Sequence, residues 1–72
     1  MATMAERLKG LRKERGWTQK ELQAMSGVPY TTISRIERGN PRQINTNTLV
    51  ALADALEVTT DYLLGRSNKR ID

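Results

Sequence analysis

Apolar residues recur along this chain at helical spacing, and nowhere do they alternate as a half-buried strand would require. Met4, Leu8 and Leu11 stand at i, i+4 and i+7, behind Thr3 and Glu6. A threonine followed three residues later by glutamate is a capping box, in which each side chain bonds the other's backbone N–H. A helix is therefore predicted from about Met4 towards Gly16. Thr18 and Glu21 repeat the device and open a second helix with Leu22 and Met25 inward, ending at Ser26-Gly27. That helix has barely two turns and needs packing to persist. Gly27 is predicted to be left-handed, the conformation only glycine adopts cheaply. Val28 then anchors the turn, and Pro29 suits the start of a third helix, where a missing N–H costs nothing. Ile33 and Ile36 form its inward stripe and Gly39 ends it. After a loop over 40–44, Asn45 caps a fourth helix with the stripe Leu49, Leu52, Ala53 and Leu56, closed by Val58. Thr59 caps a short fifth helix with Asp61 in its first turn, Leu63 and Leu64 packed, and Gly65 as the stop. The expected core is Leu8, Leu11, Trp17, Leu22, Val28, Ile33, Ile36, Leu49, Leu52, Leu56 and Leu63.

At 72 residues the chain is one domain at most. The boundaries expected are a folded unit over 1–65 and a flexible basic tail or linker over 66–72, where Ile71 is the single apolar residue. A chain this short buries only about 60% of its unfolded surface, so stability is marginal. It has no cysteine and no histidine, which removes the commonest metal ligands and the usual general base. Neither a metal nor another cofactor is expected. An enzyme is set aside, because there is no Gly-rich phosphate loop and Asp54 and Glu57 share a helix face without partner groups. No apolar run is long enough to span a membrane, and the N-terminus has no charged segment leading into an apolar one. A cytoplasmic location is expected.

Charge changes the picture further. Through Arg42 there are nine Lys/Arg against four Asp/Glu; from 43 to 65 there are three acids and no base; the tail has three bases and one acid. A basic N-terminal two-thirds fits an anionic partner such as nucleic acid, and equally an ordinary solvated surface. Lys9, Lys13 and Arg15 read as solvated charges. The outward positions of the third helix sharpen the choice. Tyr30, Thr31, Thr32, Ser34, Arg35 and Arg38 are polar, aromatic or cationic, and Glu37 is the helix's single acid. Two short helices about a glycine turn, the second exposed with such a face, describe a helix-turn-helix set for a DNA major groove. Trp17 reads as packing rather than base stacking. Tyr30 is either a solvent-facing aromatic or a DNA contact, and Arg35 either reads guanine or meets phosphate.

The run Thr18-Gln19-Lys20-Glu21-Leu22, Gly27-Val28 and Thr32-Ile33-Ser34-Arg35-Ile36-Glu37-Arg38-Gly39 resembles the phage repressor/Cro type of helix-turn-helix, also called the xenobiotic-response-element family. The resemblance continues through Leu49, Ala53-Asp54-Ala55-Leu56-Glu57-Val58-Thr59 and Asp61-Tyr62-Leu63-Leu64-Gly65. It implies an all-α fold, a compact five-helix repressor-like DNA-binding domain with the helix-turn-helix at helices two and three. It implies a sequence-specific double-stranded DNA-binding transcriptional regulator, most simply a repressor. By matching position, Tyr30, Thr31 and Arg35 would read bases. Gln19, Thr32, Arg38, Asn40, Arg42 and Asn45 would meet the DNA backbone. Arg12 and Glu37 would form a structural salt bridge. The implied partner is a near-palindromic operator, bound by a homodimer whose self-association is weak and strengthened by DNA. Leu56, Val58, Tyr62 and Leu64, extended by Ile71, are candidates for its contact, or else simply finish the core. No small-molecule ligand is evident. An antitoxin or other protein-interaction module using the same fold is the alternative. Two departures stand out. Gln23 replaces the family's usual alanine at the helix crossing, where it splays the helices or snorkels outward. Pro29 replaces the usual Ser or Thr cap, a loss of about 1 kcal/mol partly offset by its fixed φ.

Overall fold

The computed structural model describes residues 3–39 and 44–71. Five helices run in order: α1 (Met4–Glu14), α2 (Gln19–Ser26), α3 (Tyr30–Glu37), α4 (Thr46–Ala55) and α5 (Thr60–Leu64). No strand occurs among the described residues, and no described helix is long and apolar enough to cross a membrane.

The caps set most of these boundaries. Thr3 with Glu6 and Thr18 with Glu21 both form complete capping boxes, and Asn45 and Thr59 cap α4 and α5. At the end of α1, Gly16 lies at φ 69 while the Trp17 N–H returns to the Arg12 carbonyl. This double-bonded left-handed stop satisfies carbonyls that the helix leaves open. The end of α4 is built the same way, with Val58 N–H on the Ala53 carbonyl, but Glu57 holds the left-handed position at φ 57.

Helices α1 and α2 both pack on α3, while α4 and α5 close the other side against α2 and α1. Leu8, Leu11, Leu22, Val28, Ile33, Ile36, Leu52, Ala53, Leu56 and Leu63 form the buried cluster, with Trp17 and Leu49 partly buried against it. Met25 departs from the expected inward position and is 59% exposed. The less exposed side of α2 runs through Gln19, Leu22 and Ser26, which leaves Met25 on the outer shoulder. Leu56 is fully committed to the core, so it offers nothing to a contact with a second copy; Leu64 and Ile71 are exposed.

Residues 66–71, expected as a flexible tail, are folded back in the structure. The Thr59 N–H donates to the Arg70 carbonyl at 2.8 Å. The Arg70 guanidinium makes two bonds to the Glu14 carboxylate, at 2.9 and 2.8 Å. Arg7 spans the gap from α1, donating to the carbonyls of Tyr62 and Ser67 at 2.8 and 2.6 Å, with its guanidinium 4.2 Å over the Tyr62 ring. Hydropathy does not register this segment because arginines and backbone carbonyls hold it, not apolar contacts.

Candidate nucleic-acid interface

The turn between α2 and α3 is fixed by three devices. Gly27 sits at φ 79 and its N–H returns to the Gln23 carbonyl at 2.8 Å. The Ser26 hydroxyl donates to the Leu22 carbonyl at 2.7 Å and accepts from the Val28 N–H at 3.1 Å. Val28 is buried in the core, so the turn is pinned from below.

Helix α3 then presents one side outward. Ile33 and Ile36 are fully buried. The opposite side carries Thr31, Ser34, Arg35 and Arg38, which share a face by helical spacing, with Tyr30 and Thr32 at its shoulders. Thr31, Arg38 and Tyr30 are exposed; Thr32, Ser34 and Arg35 are half-buried. The Arg35 Nε is shielded from solvent and has no hydrogen-bond partner among the described residues. A shielded donor without a partner is costly until an acceptor reaches it.

Glu37 is turned beneath the helix. Its carboxylate takes Arg12 Nε at 2.7 Å and Arg12 Nη2 at 2.9 Å, a two-pronged ion pair. The side chains are 11% and 5% exposed for Arg12 and Glu37. Arg12 Nη1 donates further to the Trp17 carbonyl at 2.7 Å. The bonds to Glu37 raise the Arg12 pKa above its ordinary value, against the opposing pull of burial. The residues that the resemblance pairs are thus bonded to each other, and α1 is tied to α3. The same arrangement removes the acid of α3 from its outward face.

The remaining expected contact residues are spread around this face. Gln19, at the first turn of α2, is half-buried, and its Nε2 donates to Glu37 at 3.2 Å. Asn45 is exposed at the start of α4, where its Oδ1 accepts the Thr48 N–H at 2.7 Å. Its side-chain carbonyl oxygen is thus spent as a cap. Asn40 and Arg42 lie outside the described residues.

The partners of two residues were not foreseen from the sequence. Lys20, on α2, holds its ammonium 5.3 Å from the centre of the Tyr30 ring. Gln23, expected to splay the helices or snorkel outward, is exposed, and its Oε1 accepts the Tyr30 N–H at 2.7 Å, while Pro29 supplies no side-chain cap. The missing cap at Pro29 was the available signal, because a helix start without one needs an acceptor from elsewhere.

A helix-turn-helix family model matches residues 8–63. Among curated proteins the chain is similar to the HTH-type transcriptional regulator ImmR of Bacillus subtilis, 38% identical over 64 residues, covering 89% of this chain and 50% of that protein. It is equally similar, at 38% over 64 residues, to the HTH-type transcriptional repressor RghR of Bacillus subtilis, with 89% and 47% covered. The chain thus spans about half the length of these curated relatives. Among solved structures, the P22 c2 repressor in complex with a synthetic operator superposes with a TM-score of 0.83 and 36% identity, covering 93% of this chain and 100% of that one. The solution structure of the DNA-binding domain of the P22 c2 repressor gives 0.77 and 38%, with 88% and 82% covered. The match in sequence over most of the chain and the match in backbone agree: the chain belongs to the XRE-type helix-turn-helix family.

Proposed function

We propose that this protein is a sequence-specific double-stranded DNA-binding transcriptional repressor that inserts α3 into the major groove. The observation that carries the proposal is the electrostatic sorting of α3. Its one acid, Glu37, is buried under Arg12, and its outward face holds hydroxyls, a tyrosine and two arginines. Such a face matches the acceptor-rich floor and anionic walls of a groove. The named relatives are transcriptional regulators, and the solved neighbour was captured on an operator; regulation rather than catalysis is the role they support.

In this reading Tyr30, Thr31 and Arg35 read bases, Arg35 by its guanidinium on a guanine edge. Gln19, Thr32, Arg38 and Asn45 hold the DNA backbone, and Asn40 and Arg42 are assigned the same role by the resemblance alone. One α3 covers few base pairs, so specificity calls for two copies about 34–36 Å apart on a near-palindrome. Weak self-association strengthened by DNA is the assembly proposed.

Binding-site selection from random DNA, followed by variants on the selected site, is the test. Arg35→Ala should lose about 1–3 kcal/mol on the selected site alone and relax one base position, while Arg38→Ala weakens all sequences alike. Equal losses on specific and non-specific DNA for Arg35→Ala would remove its base-reading role. On an intact palindrome, sedimentation should give two chains per duplex. One chain per duplex at saturation would defeat the dimer.

A further inference from the structure

The N-terminus of α3 faces an unusual problem. Pro29, at the cap position, has no hydroxyl or amide to offer and makes no side-chain bond to the helix. Its own carbonyl reaches Thr32 and Ile33, at 3.0 and 3.1 Å. The Tyr30 N–H at the first helical position would then be open, were it not for Gln23. The Gln23 side chain crosses from the preceding helix and accepts that N–H through Oε1 at 2.7 Å.

We infer that Gln23 is a positioning residue for DNA reading, locking the start of the recognition helix to α2 through the Tyr30 backbone. This rests on α3 being the DNA-reading helix. The bond joins two elements whose relative angle decides where Tyr30 and Thr31 point. The core anchors α3 through Ile33 and Ile36, beyond its first three residues, and Arg12 holds its last turn through Glu37. The first turn has no buried apolar side chain of its own: Pro29, Tyr30 and Thr31 are exposed and Thr32 is half-buried. Val28 pins the turn before this end from below, and the Gln23 amide adds a directional restraint at the first helical N–H itself. Lys20 lies one turn earlier on the same helix and places its ammonium over the Tyr30 ring, so α2 holds both the backbone and the side chain of Tyr30. Gln23 itself is exposed, so its replacement leaves the core intact. A capping role for stability alone would weaken the fold and leave base preference untouched; a positioning role moves base preference.

Gln23→Met keeps the length and removes the acceptor; Gln23→Glu keeps the acceptor. Both are compared with the unmodified protein by amide exchange at Tyr30, by thermal melting, and by affinity for the selected operator and for a scrambled duplex. The operator-to-scrambled ratio cancels the uniform repulsion that the glutamate adds. Gln23→Met should expose the Tyr30 amide to exchange and lower the ratio about fivefold to tenfold, with the loss concentrated at the base pairs facing Tyr30 and Thr31. Gln23→Glu should restore Tyr30 protection and most of the ratio. A wild-type ratio in Gln23→Met would overturn the inference whatever happens to the melting temperature, and so would a ratio that Gln23→Glu fails to recover. If the unmodified protein itself shows no sequence preference, the DNA-reading assignment falls and this inference with it. The two failures are separated by which protein loses the ratio.

Discussion

Replacing Arg12 with methionine removes the guanidinium and keeps most of the stem. What it leaves behind sets the cost. The Glu37 carboxylate, 5% exposed, would keep one hydrogen bond among the described residues, the 3.2 Å contact from Gln19. The Trp17 carbonyl would lose its side-chain donor. Stripping one partner from a buried ion pair typically costs about 3–5 kcal/mol, because the other charge stays buried and uncompensated. A chain of this length has roughly 4–11 kcal/mol of stability in total, at about 0.05–0.15 kcal/mol per residue. The variant should therefore sit close to unfolding, with a melting temperature lower by at least about 12 °C, at about 4 °C or more per kcal/mol. Removing the carboxylate as well should undo most of the damage. Arg12→Met/Glu37→Leu is expected to be more stable than Arg12→Met alone, short of wild type by about 1–3 kcal/mol for the unsatisfied Trp17 carbonyl. Urea melts of the wild type, both single variants and the double close the cycle. A loss under about 1 kcal/mol for Arg12→Met, the value of an exposed pair, would refute the buried-charge reasoning. So would a double variant no better than Arg12→Met. Operator preference, measured well below the melting point, should stay unchanged, since the pair lies beneath α3 and not on its outward face.

Glu57→Gly should stabilise the domain by about 0.5–1 kcal/mol in a thermal melt, because Glu57 occupies a left-handed stop that Gly16 fills without strain at the end of α1. The exposed ion pair it forfeits with Arg15 is worth too little to reverse the sign. Glu14 predicts an acid limb. Its bonds to Arg70 hold the carboxyl below its ordinary value of 4.5, so its contribution is full above that value and fades as pH falls through the lowered folded one. Glu14→Gln should flatten the corresponding part of a stability-against-pH curve, and at neutral pH should speed amide exchange at Thr59, whose N–H is bonded to the Arg70 carbonyl. An unchanged acid limb would assign it to other carboxylates, of which Glu6, lowered by its bond to the Thr3 backbone, is the first.

Local signals were legible wherever one residue type has one cheap use. The capping boxes at Thr3 and Thr18, the left-handed turn at Gly27 and the inward stripe of Ile33 and Ile36 follow from sequence spacing, and the structure has each of them. Met25 failed because a two-turn helix offers two plausible inward shoulders, and periodicity alone cannot say on which its neighbours lie. The partnerships of long polar side chains were the least legible. Gln23, Arg7 and Arg70 each reach partners fixed by the tertiary fold, with Arg7 spanning 60 positions in sequence to the Ser67 carbonyl. The Arg12–Glu37 pair came from the family resemblance and not from spacing: nothing in the composition distinguishes Arg12 from Lys13.

This partnering also changes what the net charge means. The excess of basic residues before position 43 is the feature that first suggests an anionic partner. Several of those cations are occupied within the molecule. Arg7 is spent on the carbonyls of Tyr62 and Ser67, Arg12 on Glu37, and Arg15 on the Leu56 carbonyl and Glu57. Arg70, in the basic tail, is spent on Glu14. Each is positioned by the bonds it makes, so none is free to follow a phosphate without giving up a charge-assisted contact. Arg35 and Arg38, on the outward side of α3, make no side-chain hydrogen bond or ion pair with another described residue, and Lys20 stands beside Tyr30. On the proposed function, the number of counterions released on DNA should therefore follow these few residues, with Arg42, rather than the count of Lys and Arg. The fold thus uses its arginines in two ways. One set replaces the apolar contacts that a chain of this size cannot supply, and the other, Arg35 and Arg38, has no such partner among the described residues and is the set the proposed DNA contact would use.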